Sequence, residues 1–462
     1  MAFDILKFIF ICVEVVLLFN LLIVVHELGH FLAARWRGLV VEKFAIWFGK
    51  PLWSKTINGV EYRLGSIPAG GYVAIPQLAP MEALEGKVES DRATLPPIKP
   101  IDKIIVAAAG PAFSLGLAFV MACVVWFVGK PVSAADKPIV GYVKADGPAA
   151  QAGLQVGDKL IKVDNEPVSH FMSGTDSVKW RIVRSEGETI PFLVQRDGQE
   201  LTLQSKWTKP ETASWKRPAL REVGLGPLVP ATVNLVVRGS AADQAGVRPK
   251  DLLVSAGGQK IVTLSDLLEP LKASVSQSMP IVVQRDGKDI PLTINVPAVD
   301  PKSPDATPNL GIDWGGITIE HPKPWTQVSD AATSIFRMVG ALFSPNSDVK
   351  AAHFSGPVGI MRLYYQVFET DYGWQLALSL SVLINVNLAL LNLLPFPVLD
   401  GGHIVLAIVE GIRRKPINVR VLEFVQTACA IALIGFMLYV TFYDVGDFFS
   451  SDRKASSSEK AK

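Results

Sequence analysis

The chain has 462 residues, of which 49% are hydrophobic and 19% charged, with a formal net charge of +2 and a mean hydropathy of +0.31. A balance this near neutrality excludes the basic footprint of a nucleic-acid binder and the acidic tail of a solvating segment, while the apolar excess opens a membrane reading. Cys12, Cys123 and Cys429 sit in apolar stretches without Cys-x-x-Cys spacing, so neither a disulfide framework nor a cysteine metal site is indicated.

Four apolar regions approach the length of about 20 residues that crosses a hydrocarbon core. The first covers about residues 5–34. It is longer than a secretory signal core and lacks a basic leader and a small-residue cleavage site, so it reads as a retained helix.

Inside it lies His26-Glu27-Leu28-Gly29-His30, an H-E-x-x-H motif. At about 100° per residue, positions i and i+4 fall within roughly 40° of each other, so His26 and His30 can present two imidazole nitrogens to one tetrahedral zinc. Glu27 can then serve as general base toward a water. A charged side chain at the centre of a membrane helix costs about 2.5–3.5 kcal/mol, so an ionisable cluster there reads as functional. Glu14 and Asn20 share this helix without an assigned role.

After the helix, Arg35, Arg37, Lys43, Lys50, Lys55 and Arg63 mark a cytoplasmic segment. Within it, short apolar runs flank Pro68-Ala69-Gly70-Gly71, which predicts a β-hairpin over about residues 60–76. Residues 76–103 read as a charged, proline-containing loop. The second membrane helix is expected over about 101–128 and carries Ala109-Gly110-Pro111-Ala112-Phe113-Ser114.

Residues 130–373 fall on the opposite side of the membrane and contain an internal repeat. Gly147-Pro148-Ala149-Ala150-Gln151-Ala152-Gly153 is echoed by Gly239-Ser240-Ala241-Ala242-Asp243-Gln244-Ala245-Gly246, and Val194-Gln195-Arg196-Asp197-Gly198 by Val283-Gln284-Arg285-Asp286-Gly287. Two modules are expected, over 130–210 and 211–298, with Lys250 standing where the first copy has Gly157. His170 in the first module reads as a surface residue. Pro297, Pro301, Pro304 and Pro308 mark a linker, and 328–343 has the helical period of an element on the membrane surface, within a segment over 299–373. His321 and His353 receive no role.

The third apolar region, about 376–411, holds Asn385, Asn387, Asn392, Pro395, Pro397, Asp400, Gly401, Gly402 and His403. Polar residues and helix breakers in an apolar stretch imply that the segment lines a polar cavity. Catalytic zinc usually takes three protein ligands, and this region offers Asp400 or His403 as the third. Asn392 and Asn387 could hydrogen-bond a substrate backbone or an oxyanion. Arg413, Arg414, Lys415 and Arg420 then form a second cytoplasmic loop before a fourth helix over about 421–443 and a polar tail over 451–462. The whole describes a polytopic α-helical membrane protein with four transmembrane helices, a β-hairpin between the first two, and an inserted tandem of mostly β modules.

His26-Glu27-Leu28-Gly29-His30, paired with Asn392-Leu393-Leu394-Pro395-Phe396-Pro397-Val398-Leu399-Asp400-Gly401, resembles the site-2 protease family in its bacterial RseP-type branch. The resemblance extends over nearly the whole chain and makes the repeat a tandem of PDZ domains. It implies Zn2+ held by His26, His30 and Asp400, Glu27 as base, and Asn392 against substrate. It also implies a hairpin at Gly70 and Gly71 that enters the membrane and takes substrate by strand addition. The implied substrates are single-span membrane proteins of the anti-sigma factor type and signal peptide remnants, in a bacterial inner membrane with the PDZ domains periplasmic and the site near the cytoplasmic side. One departure is Ser114, where relatives commonly carry asparagine.

Overall fold

The computed structural model describes residues 2–78, 95, 98–213, 216–299, 307–414 and 419–459. These fall into two compact units, one of Met1–Lys130, His321–Ile335 and Ser355–Thr441, the other of Pro131–Glu320, Phe336–Phe354 and Phe442–Lys462.

The first unit is built on long apolar helices. Helix α1 (Ala2–Trp36) leads into β1 (Lys43–Ile57) and β2 (Val60–Ala74), followed by α2 (Pro100–Val128). Helix α3 (Pro324–Phe343) starts in this unit and continues into the second. Then come α4 (Pro357–Phe368), α5 (Gly373–Asn392), α6 (Asp400–Arg413) and α7 (Val419–Glu459), whose part from Phe442 onward belongs to the second unit. Among the described residues, four spans are long and apolar enough to cross a membrane: Phe8–Trp36, Pro100–Val128, Gly373–Asn392 and Phe424–Asp447.

Helix α2 is the central element because its buried stripe is small. Gly110, Ser114, Ala118 and Ala122 repeat every fourth residue on one buried face. Such a face lets neighbouring backbones approach where lipid offers no hydrophobic drive to association. Gly29 of α1 uses that room, since a Cβ there would strike the carbonyl of Ala109. Charge fixes the helix ends. Arg37 meets Asp102 at 2.7 Å and Lys103 meets Glu410 at 2.7 Å, tying α2 to the end of α1 and to α6.

The predicted hairpin is present with a different turn. β1 and β2 meet at Asn58-Gly59, both at positive φ (50° and 79°), and not at Pro68–Gly71. Asn-Gly populates that geometry readily, which makes it the stronger hairpin signal. Gly70, at φ 80°, instead forms a corner within β2. The two strands fold back on themselves: residues 43–46 pair on one side with 71–74 and on the other with 61–64, which pair in turn with 53–56. Among the described pairings, segment 71–74 is therefore an edge.

In the second unit the repeat is visible in three dimensions. A four-stranded sheet ordered Glu166–Pro167, Lys159–Val163, Ile190–Arg196, Gln199–Ser205 recurs as Gln259–Lys260, Leu252–Ala256, Ser278–Arg285, Lys288–Asn295. Each copy has its own apolar core, around Phe192, Leu160 and Ile190 in the first and Met279, Leu267 and Ile294 in the second. The repeated Arg-Asp residues form matching clamps. Arg196 donates to both oxygens of Asp158 and to the Gly153 carbonyl, as Arg285 does to Asp251 and Gly246. Lys250 adopts φ 74° where Gly157 has 97°, so the glycine-to-lysine change keeps the turn with a side chain in the left-handed region.

Each copy is completed by a strand pair whose second member lies beyond the boundaries expected at 210 and 298. Val140–Val143 pairs with Leu225–Pro227, and Val233–Val236 with Ile312–Trp314. These closing strands have three residues each, too few to show a period in sequence. Pro301 and Pro304 of the expected linker, and most of the loop at 76–103, lie outside the described residues.

Candidate metal centre

Helix α1 brings His26 and His30 to one face, and the break between α5 and α6 brings a carboxylate to meet them. Residues 393–399 are not helical, and Asp400 begins α6. The turn is held by close backbone approach, because a Cβ on Gly401 would strike the Leu393 carbonyl and one on Gly402 that of Phe396. A carboxylate in the first turn also sits at the positive end of the helix dipole.

Four atoms of three side chains converge. His26 Nε2 lies 3.2 Å from Asp400 Oδ2 and 3.2 Å from His30 Nε2, and His30 Nε2 lies 3.4 Å from Asp400 Oδ1. Zinc–ligand bonds of about 2.0–2.1 Å in tetrahedral geometry place ligand atoms about 3.3 Å apart, so these separations have the length of a zinc tetrahedron's edges, with His26 facing one oxygen of Asp400 and His30 the other. Among the described residues, this trio is the group of histidine, cysteine or acidic side chains arranged to hold a metal ion.

The outer contacts of the histidines agree. His30 Nδ1 donates to the Val106 carbonyl at 2.8 Å, and a carbonyl can only accept. The neutral ring therefore carries its proton on Nδ1 and turns the Nε2 lone pair inward. His26 Nδ1 lies 3.0 Å from Ser114 Oγ, which can accept in the same way. Asp400 Oδ2 is buried, with His26 Nε2 at 3.2 Å as its near neighbour. With both rings protonated on Nδ1, lone pairs of three side chains face one another here, an arrangement that a cation would satisfy.

Gly110 makes the space. A Cβ at this position would collide with the His30 ring and lie 2.9 Å from His26 Nε2.

A cavity of about 370 Å³ opens beside the trio, lined by Glu27, Asn392, His403, Phe48, Gly71 and Tyr72 among others. Asn392 Nδ2 is 3.4 Å from His26 Nε2. His403 lines the cavity but is not part of the converging trio. Gly71 lies against Glu27, whose Cγ would be 3.3 Å from an added Cβ. Gly70 packs under the Phe48 ring, which stacks on Tyr72 at 5.8 Å between centroids. Asn387 is not among the lining residues, and its Oδ1 is buried without a hydrogen bond. Ser114, Gly110 and the Val106 carbonyl were not singled out for the site from sequence; the Gly110-Pro111 step with a small polar residue at 114 is the signal that would have led there.

The family model of peptidase family M50 matches residues 14–436. A protein of Neisseria meningitidis named as a zinc metalloprotease is 29% identical over 448 residues, covering 92% of this chain and 96% of its own. The regulator of sigma-E protease RseP of Escherichia coli K12 is 28% identical over 458 residues, with 92% and 96% covered. Among solved structures, a PDZ domain of an SdrC-like protein from Listeria monocytogenes aligns with 19% of this chain and 87% of its own at 20% identity, with a TM-score of 0.16. The chain belongs to peptidase family M50 and is a zinc metalloprotease of the site-2 type.

Proposed function

We propose that the chain cuts peptide bonds within transmembrane segments of single-span membrane proteins, after a first protease has removed their bulky external part. The observation that carries this reading is the convergence of His26, His30 and Asp400 beside Glu27 on a helix apolar enough to span a membrane, with the sheet edge at 71–74 alongside.

In this mechanism His26, His30 and Asp400 would hold the zinc, which when bound supplies Lewis acidity and makes a water easier to deprotonate. Glu27 accepts a proton from the attacking water and passes it to the leaving amine. The Asn392 amide donates to the carbonyl oxygen as charge develops on it. A transmembrane helix hides its amides in i to i−4 bonds, so the substrate must unwind before attack. Segment 71–74 offers the freed backbone new partners by strand addition and delivers it past Glu27. Phe48 and Tyr72 give the cavity an apolar wall that limits water.

The two repeated modules are PDZ-like and periplasmic in this reading, and act as a screen that turns away substrates with large external domains. The membrane is the bacterial inner membrane. The relative named as a regulator of sigma-E protease points to an anti-sigma factor as one substrate, with remnant signal peptides as another.

The test is cleavage of a pre-trimmed single-span substrate in liposomes, with bound zinc assayed in parallel. Glu27→Gln should keep zinc and lose cleavage by about 100-fold or more. Asp400→Asn should lose both. Cleavage at the native rate by Glu27→Gln would remove this mechanism.

A further inference from the structure

Asn20 is an amide near the middle of the first membrane span and is 9% exposed. Its Nδ2 donates to the Val16 carbonyl at 2.7 Å, a bond within its own helix. Its Oδ1 accepts from the indole N–H of Trp47, a residue of β1. The polar side chain in the span is thus bonded to the sheet.

Trp47 is also where the sheet turns. Its φ is 69°, a left-handed conformation that costs energy for a bulky side chain and persists only where surrounding contacts over-determine it. The register of β1 against β2 shifts there, between Ile46, paired with Gly71, and Phe48, paired with Ile67. Gly49 follows at φ 89°, and Gly65 packs its bare Cα against the carbonyls of Trp47 and Phe48. Residues 47–51 therefore form the corner that sends 43–46 to pair with 71–74, and the indole bond fixes that corner to α1.

The helix supplies the register. Asn20, Ile23 and Glu27 lie within about 60° on one face of α1, and Asn20 precedes Glu27 by about 10 Å along the axis. An added Cβ on Gly71 would touch both Ile23 and Glu27. One face of α1 thus holds the corner at one level and the edge strand at the level of the base. In hydrocarbon an unpaired indole N–H or amide oxygen has no water to replace its partner, so a sheet shifted along α1 would lose this bond without compensation.

We propose that the Asn20–Trp47 hydrogen bond is a latch that sets edge strand 71–74 in register with Glu27, making Asn20 and Trp47 positioning residues for substrate presentation. This rests on the strand-addition reading above. A shifted edge would present a scissile carbonyl off its line of attack, and displacements of about 1 Å can cost 100-fold in rate.

The experiment compares the full chain in liposomes with Trp47→Phe, Asn20→Leu, the double variant and Asn20→Asp, measuring kcat, KM and bound zinc on a pre-trimmed single-span substrate. Trp47→Phe keeps the ring and removes the N–H; Asn20→Asp keeps an acceptor oxygen. We expect kcat/KM to fall about tenfold or more in Trp47→Phe and Asn20→Leu, chiefly through kcat, with zinc content unchanged. The double variant should be no worse than either single one, and Asn20→Asp should restore kcat to within about threefold of native. Native kinetics in Trp47→Phe, additive losses in the double variant, or loss of zinc in Trp47→Phe would each overturn the latch, the last because the bond would then serve the metal site. If the native chain itself does not cut, the protease reading fails, and that outcome is distinct from failure of the latch.

Discussion

Gly110 of α2 lies so close to His30 that a Cβ on it would enter the space between the His30 ring and His26 Nε2. The missing Cβ therefore keeps open the space in which the proposed ligands meet. Gly110→Ala should lower zinc affinity by about tenfold or more, since overpacking a fixed site costs about 1–3 kcal/mol. Competition against a chromophoric chelator measures this, and native affinity would show that the two rings do not meet at Gly110.

Ser114 reaches the same centre from one turn further on. Ser114→Ala removes the partner of His26 Nδ1 and should weaken zinc binding by about 10–100-fold, the usual range for groups that orient a metal-binding histidine. Ser114→Asn, which keeps a hydrogen-bonding group, should stay within a few fold of native. Equal affinity in Ser114→Ala and native chain would mean that the ring is oriented by packing alone.

Stripping the metal with a chelator should abolish cleavage and lower the melting temperature in detergent, and added zinc should restore both. A ligand at 100 times its Kd stabilises the folded state by about 2.7 kcal/mol. The same titration on Asp400→Asn should leave its melting temperature flat. A zinc-dependent shift in that variant would move the third ligand elsewhere.

In the first module, Asp136 holds the loop at 169–177 by accepting from the Met172 and Ser173 amides and pairing with His170 at 3.3 Å. The Asp136 hydrogen bond raises the His170 pKa above its ordinary 6.5. Burial pushes the Asp136 carboxyl up, but His170 and the two amides outweigh it and hold it well below the usual 3.8. The His170 contribution is fully present below pH 6.5 and is lost as pH rises through the raised value. The Asp136 contribution is present above pH 3.8 and is lost as pH falls through the lowered one. Amide exchange in this loop should therefore be best protected between about pH 4 and 6.5, after correction for intrinsic rates. His170→Asn should flatten the upper limb, and an unchanged profile in that variant would remove the pair as its cause.

How much of this was legible depended on the range of the signal. His26 and His30 are four residues apart, and a helix converts that spacing directly into a shared face. The α5–α6 break was equally readable, because prolines and glycines in an apolar stretch have few other uses. The hairpin carried two competing turn signals, and the one at Asn58-Gly59 won because both residues accept positive φ. Asn387 lies five positions from Asn392, a rotation of about 140° around α5, so a helical wheel separates it from the face that Asn392 presents. The closing strands Leu225–Pro227 and Ile312–Trp314 gave no warning, since their identity rests on partners some 80 residues away and not on their own pattern.

The two histidines are held by unequal partners. His30 leans on the backbone of Val106, a carbonyl that every amino acid at that position would supply, whereas His26 leans on the side chain of Ser114, which a single codon can remove. Inheritance therefore has a free hand with one ligand and none with the other. Drift in how tightly this lineage grips its metal should collect at position 114, while at position 106 the buried side chain answers to core packing and the carbonyl stays in place.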